Sequence, residues 1–133
     1  MFKRLFGKKK MNVPAFELPS VDSLTTTESG LQYVEVRPGA GGKPSAKSEV
    51  EVHYAGWTTS GELFDSSYGR GSTISFPLSG VIAGWTEGLQ LMNVGAAYTF
   101  VIPAHLAYGA AGAPPTIGPN ATLVFHVELI SVG

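Results

Sequence analysis

Hydrophobic and polar residues alternate in several distinct rhythms along the chain, and each rhythm predicts an element. Val50, Val52, Tyr54 and Gly56 alternate with Glu51, His53 and Ala55, a period of two that suits an antiparallel strand with one face in a core. Leu31 to Val36 forms an earlier strand, which the breaker cluster Pro38-Gly39-Ala40-Gly41-Gly42 ends. Thr73 to Leu78 is a further strand, and Pro77, which donates nothing to a ladder, puts it at an edge or a strand end. Tyr98 to Ile102 and Thr122 to Val132 complete the set. The last of these carries Leu123, Phe125, Val127 and Leu129 on one face and Val124, His126, Glu128 and Ile130 on the other. One segment departs from this period: Ile82, Trp85, Leu89 and Met92 recur at helical spacing and fall on one face of a short helix. Gly84 and Gly88 weaken that helix by propensity, so it must owe its stability to packing an apolar stripe on the sheet. The expected architecture is α+β, an antiparallel sheet wrapped around one short helix.

The 133 residues fit one domain, with enough chain to bury a core without metals or disulfides. Asn12 to Ser29 holds Pro14, Pro19, many Ser and Thr and few periodic apolar positions, which reads as a linker or mobile arm. Residues 1–29 are therefore expected to be a basic tail and flexible linker, and 30–133 the folded domain. Charge is uneven along the chain. Five of the nine basic residues (Lys3, Arg4, Lys8, Lys9 and Lys10) lie in the first ten positions, which leaves four basic against ten acidic residues elsewhere, a net of -6. That balance argues against nucleic acid as a partner of the folded part. The head is too short and too charged for a secretory or membrane-spanning segment, so the expectation is a cytoplasmic monomer whose solvated basic tail makes at most weak anionic contacts. With zero cysteines there is no thiolate nucleophile. His53, His105 and His126 lack ligand spacing, and no phosphate loop or dinucleotide fingerprint occurs, so neither a metal nor a cofactor is expected.

The run V-H-Y-A-G-W-T-T-S-G-E-L-F-D-S-S from Val52 to Ser67, with V-I-A-G-W at Val81 to Trp85 and A-Y-G at Ala107 to Gly109, sets aromatics beside one isolated carboxylate and no nucleophile. Such a set suits an apolar, amide-containing ligand and conformational rather than covalent chemistry. Taken with M-N-V-G, A-Y-G-A-A-G and N-A-T-L-V-F-H-V-E-L, these motifs closely resemble the macrolide-binding peptidyl-prolyl isomerases, the FKBP family, in order from roughly Gly30 to Gly133.

The resemblance implies a five- or six-stranded antiparallel sheet around a short helix, with a shallow apolar pocket between them. It implies isomerisation of X-Pro bonds in proline-containing peptides or proteins, a part in protein folding or chaperoning, and inhibition by macrolides of the tacrolimus and rapamycin type. By the same resemblance Trp85 is the indole floor, Phe64 a pocket aromatic, Asp65 the rim carboxylate held by Arg70, and Tyr108 a hydroxyl donor; these four, Arg70 aside, are the expected catalytic residues. Tyr54 and Phe125 are walls, Val81 and Ile82 line the pocket with the Ile82 N–H aimed at a substrate carbonyl, and Ile74, Phe76 and Ile117 complete the substrate-binding set. Plainer readings stand beside these. Trp85, Tyr54 and Phe125 are also ordinary core candidates, Tyr108 a loop aromatic, and Asp65 a turn stabiliser in F-D-S-S.

Ile74 stands where many members carry an aromatic, Ala113 where many carry a histidine, and Thr116 where the loop is commonly apolar. These departures bear on substrate preference and drug affinity. The loop from Ala110 to Asn120 is too short for the chaperone domain that some bacterial relatives insert there. The alternative function is a proline-segment binding module or chaperone of the same fold with little turnover. A lipid carrier would need a deep cavity, which the bulky aromatics argue against.

Overall fold

The alternating segments pair into one antiparallel sheet in the computed structural model, which describes residues 12–133. Its strands are β1 (Thr25–Thr26), β2 (Gln32–Arg37), β3 (Glu49–Thr58), β4 (Leu63–Ser66), β5 (Ile74–Pro77), β6 (Ala97–Ile102) and β7 (Leu123–Val132). They lie in the order β1-β2-β6-β7-β3-β4, and β5 also pairs with β3. The long central pair, β3 and β7, runs from Val50 opposite Val132 to Thr58 opposite Leu123, with one shift of register between Glu51 and Val52.

Among the described residues there are seven strands rather than five or six. The outer edge of β3 is shared: β5 takes Glu49 to Val52 and β4 takes Ala55 to Trp57, so two short strands fill one row. Pro77 ends β5, which pairs on one side only, as a residue without an N–H allows. The other addition is β1, whose Thr25 and Thr26 lie opposite Tyr33 and Gln32.

A single turn of helix, α1 (Ser67–Arg70), interrupts that shared row. Ser66 caps it by accepting the Gly69 N–H at 3.1 Å, and Gly71 closes it at φ 77°, a left-handed conformation that suits glycine. The main helix, α2 (Ala83–Leu89), buries Gly84, Trp85, Gly88 and Leu89; Ile82 stands just before it and the buried Met92 just beyond it. A Cβ on Gly84 would come within 2.6 Å of Ile102 Cγ2, and one on Gly88 within 2.6 Å of Phe100 Cε1. The two glycines that weaken α2 thus let its backbone lie close against β6. Val50, Val52, Leu89, Phe100, Val127 and Leu129 are among the core residues between helix and sheet.

The reverse face of the sheet carries a second cluster of Ala55, Trp57, Tyr68 and Val124, against which Val13 and Phe16 pack. Phe16 meets Trp57 edge-on at a centroid distance of 5.7 Å. Ser29 donates to Glu87 Oε1 at 2.5 Å, tying the end of the same segment to α2. The linker reading of Asn12 to Ser29 is therefore corrected. A few apolar side chains suffice to dock the segment because the reverse face offers a large tryptophan that needs cover. The basic head, read as a solvated tail, lies outside the described residues.

Candidate functional site

One end of the gap between α2 and the sheet opens as a cavity of about 510 Å³, within the size range of small-ligand sites. Trp85, on the first turn of α2, forms its floor and is 5% exposed. Tyr54 from β3 and Phe125 from β7 stand nearly perpendicular to the indole, with centroids at 5.1 and 5.3 Å, and Phe76 from β5 closes a third side at 5.6 Å. Phe64 from β4 packs edge-on against Phe125 at 5.5 Å. Such edge-to-face geometry is favourable for aromatic quadrupoles and fixes rigid walls. Gly56 makes the arrangement possible, because a Cβ there would fall 2.6 Å from Phe125 Cε1 and 2.7 Å from Phe64 Cζ. Trp85 Nε1 is buried with no hydrogen-bond partner among the described residues, a cost of about 1–3 kcal/mol. A core position chosen for stability alone would avoid that cost, whereas a flat apolar floor accepts it.

At the mouth, Asp65 accepts hydrogen bonds from the Tyr54 hydroxyl and from Arg70 Nη1, the latter at 2.6 Å. Arg70 Nη2 also donates to the Tyr54 oxygen at 3.2 Å, closing a three-membered polar set. Burial, and then the bond to Asp65, push the Tyr54 phenol up to about 12, so it stays a donor near neutral pH. The bonds to Tyr54 and Asp65 raise Arg70 above its ordinary value. Both side chains of the ion pair are nearly half exposed, at 49% and 42%, so its contribution to stability is about 1 kcal/mol or less. What it supplies is geometry.

Tyr108 also lines the mouth and is 41% exposed. Its loop is fastened by Gly109 N–H to Ala104 O at 2.9 Å and by Asn120 N–H to Gly109 O at 2.8 Å. The Ile82 carbonyl opens α2 by accepting from Trp85 and Thr86, while its own N–H precedes the helix and lies outside the helical ladder.

A family model described as FKBP-type peptidyl-prolyl cis-trans isomerase matches residues 41–130. The chain belongs to that family. It is 50% identical over 127 residues to a probable FKBP-type peptidyl-prolyl cis-trans isomerase, FkpA, of Neisseria meningitidis, a match covering 96% of this chain and 47% of that one. Among solved structures it resembles FkpA from Escherichia coli, at 48% identity and a TM-score of 0.79, covering 83% of this chain and 51% of that one. It also resembles a peptidyl-prolyl cis-trans isomerase from Pseudomonas syringae, at 42% identity and a TM-score of 0.79, covering 84% and 81%. The chain spans about half the length of the curated relatives it matches.

In this FKBP-type domain the structure gathers Tyr54, Phe64, Asp65, Ile74, Phe76, Val81, Ile82, Trp85, Tyr108 and Phe125 around the one cavity. Ile117, expected in the substrate-binding set, is not among the residues that line it. It forms a two-way backbone bridge with Ala113, at 2.8 and 3.1 Å, and its side chain is buried in the core cluster at 5% exposure. The F-D-S-S motif is likewise not a turn: Phe64, Asp65 and Ser66 belong to β4, and Ser67 begins α1. Gly80 lines the wall beside Val81 and went unread, since a residue without a side chain carries no chemical signal.

Proposed function

We propose that this chain is a peptidyl-prolyl cis-trans isomerase that accelerates rotation about X-Pro bonds in folding or folded proteins, without covalent catalysis. The observation that carries this reading is the enclosure of the Trp85 face by Tyr54, Phe76 and Phe125 at 5.1 to 5.6 Å. A proline ring laid on the indole is gripped on three sides by apolar surface, while the amide ahead of it stays free to turn.

An X-Pro bond prefers trans by only ~0.5–1 kcal/mol, yet its rotation barrier is about 18–20 kcal/mol because the planar amide is resonance-stabilised. Twisting ends that resonance and reduces charge separation between oxygen and nitrogen, so the transition state is less polar than the ground state. A water-poor aromatic cavity favours it relative to bulk solvent, and each ~1.4 kcal/mol of such preference is tenfold in rate. In this reading the Tyr108 hydroxyl and the Ile82 N–H hold neighbouring carbonyls while the proline ring stays on Trp85 and the preceding carbonyl swings. Asp65 borders that path as a carboxylate already held by Tyr54 and Arg70.

The partners this assigns are proline-containing peptides and proteins, with macrolides of the tacrolimus and rapamycin type as inhibitors and the chain acting as a monomer. A cytoplasmic location belongs to the same proposal and rests on the sequence expectation alone; fractionation of the full chain in its host checks it, and recovery outside the cytoplasm overturns it. The activity is tested by a coupled assay of X-Pro peptide rotation with and without macrolide. The expected result is acceleration that the drug abolishes. Peptide binding without acceleration would make the chain a binding module instead.

A further inference from the structure

β3 lacks a strand partner at one point on its outer edge. The pairing with β5 ends at Val52 and that with β4 begins at Ala55, and α1 stands in the gap. Backbone polar groups in such a gap need other partners. The fully buried Ser67 hydroxyl supplies them, accepting the Tyr54 N–H at 2.7 Å and donating to the Tyr54 carbonyl at 3.3 Å. His53 Nδ1 lies 2.8 Å from the same oxygen, and with its proton on Nδ1 it fills the remaining lone pair. The imidazole is held in turn by stacking on Tyr68 at 4.7 Å and 15°.

One hydroxyl therefore joins the backbone of Tyr54 to the first residue of α1. Both lead to the cavity mouth: the Tyr54 phenol donates to Asp65, and Arg70, at the far end of α1, donates to the same carboxylate. The two groups that hold Asp65 hang from backbones that meet at Ser67.

We propose that Ser67 is a positioning residue for prolyl isomerisation, setting through Tyr54 and Arg70 where the Asp65 carboxylate stands; this rests on the isomerase reading above. Ser67 lines no part of the cavity, so its effect reaches substrate only through those groups. Without the hydroxyl, the Tyr54 N–H and carbonyl are left in a buried gap, α1 loses its tie to β3, and Tyr54 and Arg70 no longer converge on one carboxylate.

The test measures kcat/KM on a short X-Pro peptide for Ser67→Ala and Ser67→Thr, alone and in an Asp65→Ala background. Ser67→Ala should lose about fivefold, Ser67→Thr should restore most of it, and in the Asp65→Ala background the loss should shrink below about twofold, since coupled residues are not additive. An equal loss in both backgrounds, or none in either, overturns the proposal. Amide hydrogen exchange of the unaltered full chain gives a second reading that needs no variant to fold: the Tyr54 amide should be strongly protected, and rapid exchange there overturns the pin. An inactive wild-type chain overturns the isomerase reading, and with it any role of Ser67 in turnover, while the exchange result still decides whether Ser67 pins β3.

Discussion

Trp85 serves both the core and the cavity floor, and substitution separates these roles from that of the rim charge. Trp85→Ala leaves a hole in the main core and should cost about 3–5 kcal/mol, while also removing the surface on which a proline ring would rest. Phe64 is only half-buried, so Phe64→Ala costs less stability but opens the wall beside Phe125. Asp65→Asn keeps an acceptor for Tyr54 and drops only the charge. If the cavity works by being apolar, Trp85→Ala and Phe64→Ala lower kcat/KM at least about tenfold more than Asp65→Asn in the coupled rotation assay, run where each variant is folded. Equal losses for all three would sink the apolar-cavity account. The residues in this comparison were legible because large aromatics at motif spacing announce themselves. The burial of Ile117 was not legible, because its spacing says nothing of the backbone bridge it forms with Ala113. Ser67 is one of two adjacent serines, and only the gap in the pairing of β3 gives it its bonds.

At the scale of elements, α2 sets propensity against packing. Gly88→Ala would gain about 1 kcal/mol of helix propensity, but its Cβ would meet the wholly buried Phe100 ring at 2.6 Å, and overpacking of that kind costs about 1–3 kcal/mol. The larger effect should win, so the urea midpoint of Gly88→Ala falls with an unchanged slope; a rise would show that Phe100 has room to move. The helix itself was legible from its stripe, and so were the long strands, because a face buried against α2 imposes the period. β4 was not. Asp65, Ser66 and Ser67 favour local bonds of the kind turns use, and pairing of Ser66 with Ala55 and of Asp65 with Gly56 overrode that preference. Nor was the docked segment before β2 readable, for two packed side chains and a two-residue strand leave no period to detect.

At the scale of the whole molecule, the middle of the sheet is buried on both faces, and the reverse face carries a titratable layer that bears on stability at low pH. Glu128 on β7 accepts from Arg37 of β2 at 2.8 Å and from the Tyr68 hydroxyl of α1, while His126 lies beside the Tyr68 ring at 6.2 Å and His53 of β3 stacks on its face. Burial holds His126 below its ordinary 6.5 even though Glu128 pulls the other way. For Glu128 burial pushes upward, but the bonds from Tyr68 and Arg37 outweigh it and leave the carboxyl below 4.5. Both shifts act in one direction: as pH falls, the unfolded chain takes up protons that the folded chain resists, so stability declines first below pH 6.5 and again below 4.5. On the alkaline side Tyr54 behaves oppositely. Its phenol keeps the proton up to about 12 whereas an unfolded tyrosine releases it near 10, so stability declines as pH rises between those values. Urea midpoints across this span should therefore trace a plateau with shoulders at both ends. His126→Gln should flatten the first acid shoulder and spare the second, because the glutamine has no proton to take up while Glu128 keeps both its donors. A first shoulder unchanged in that variant would remove His126 as its source.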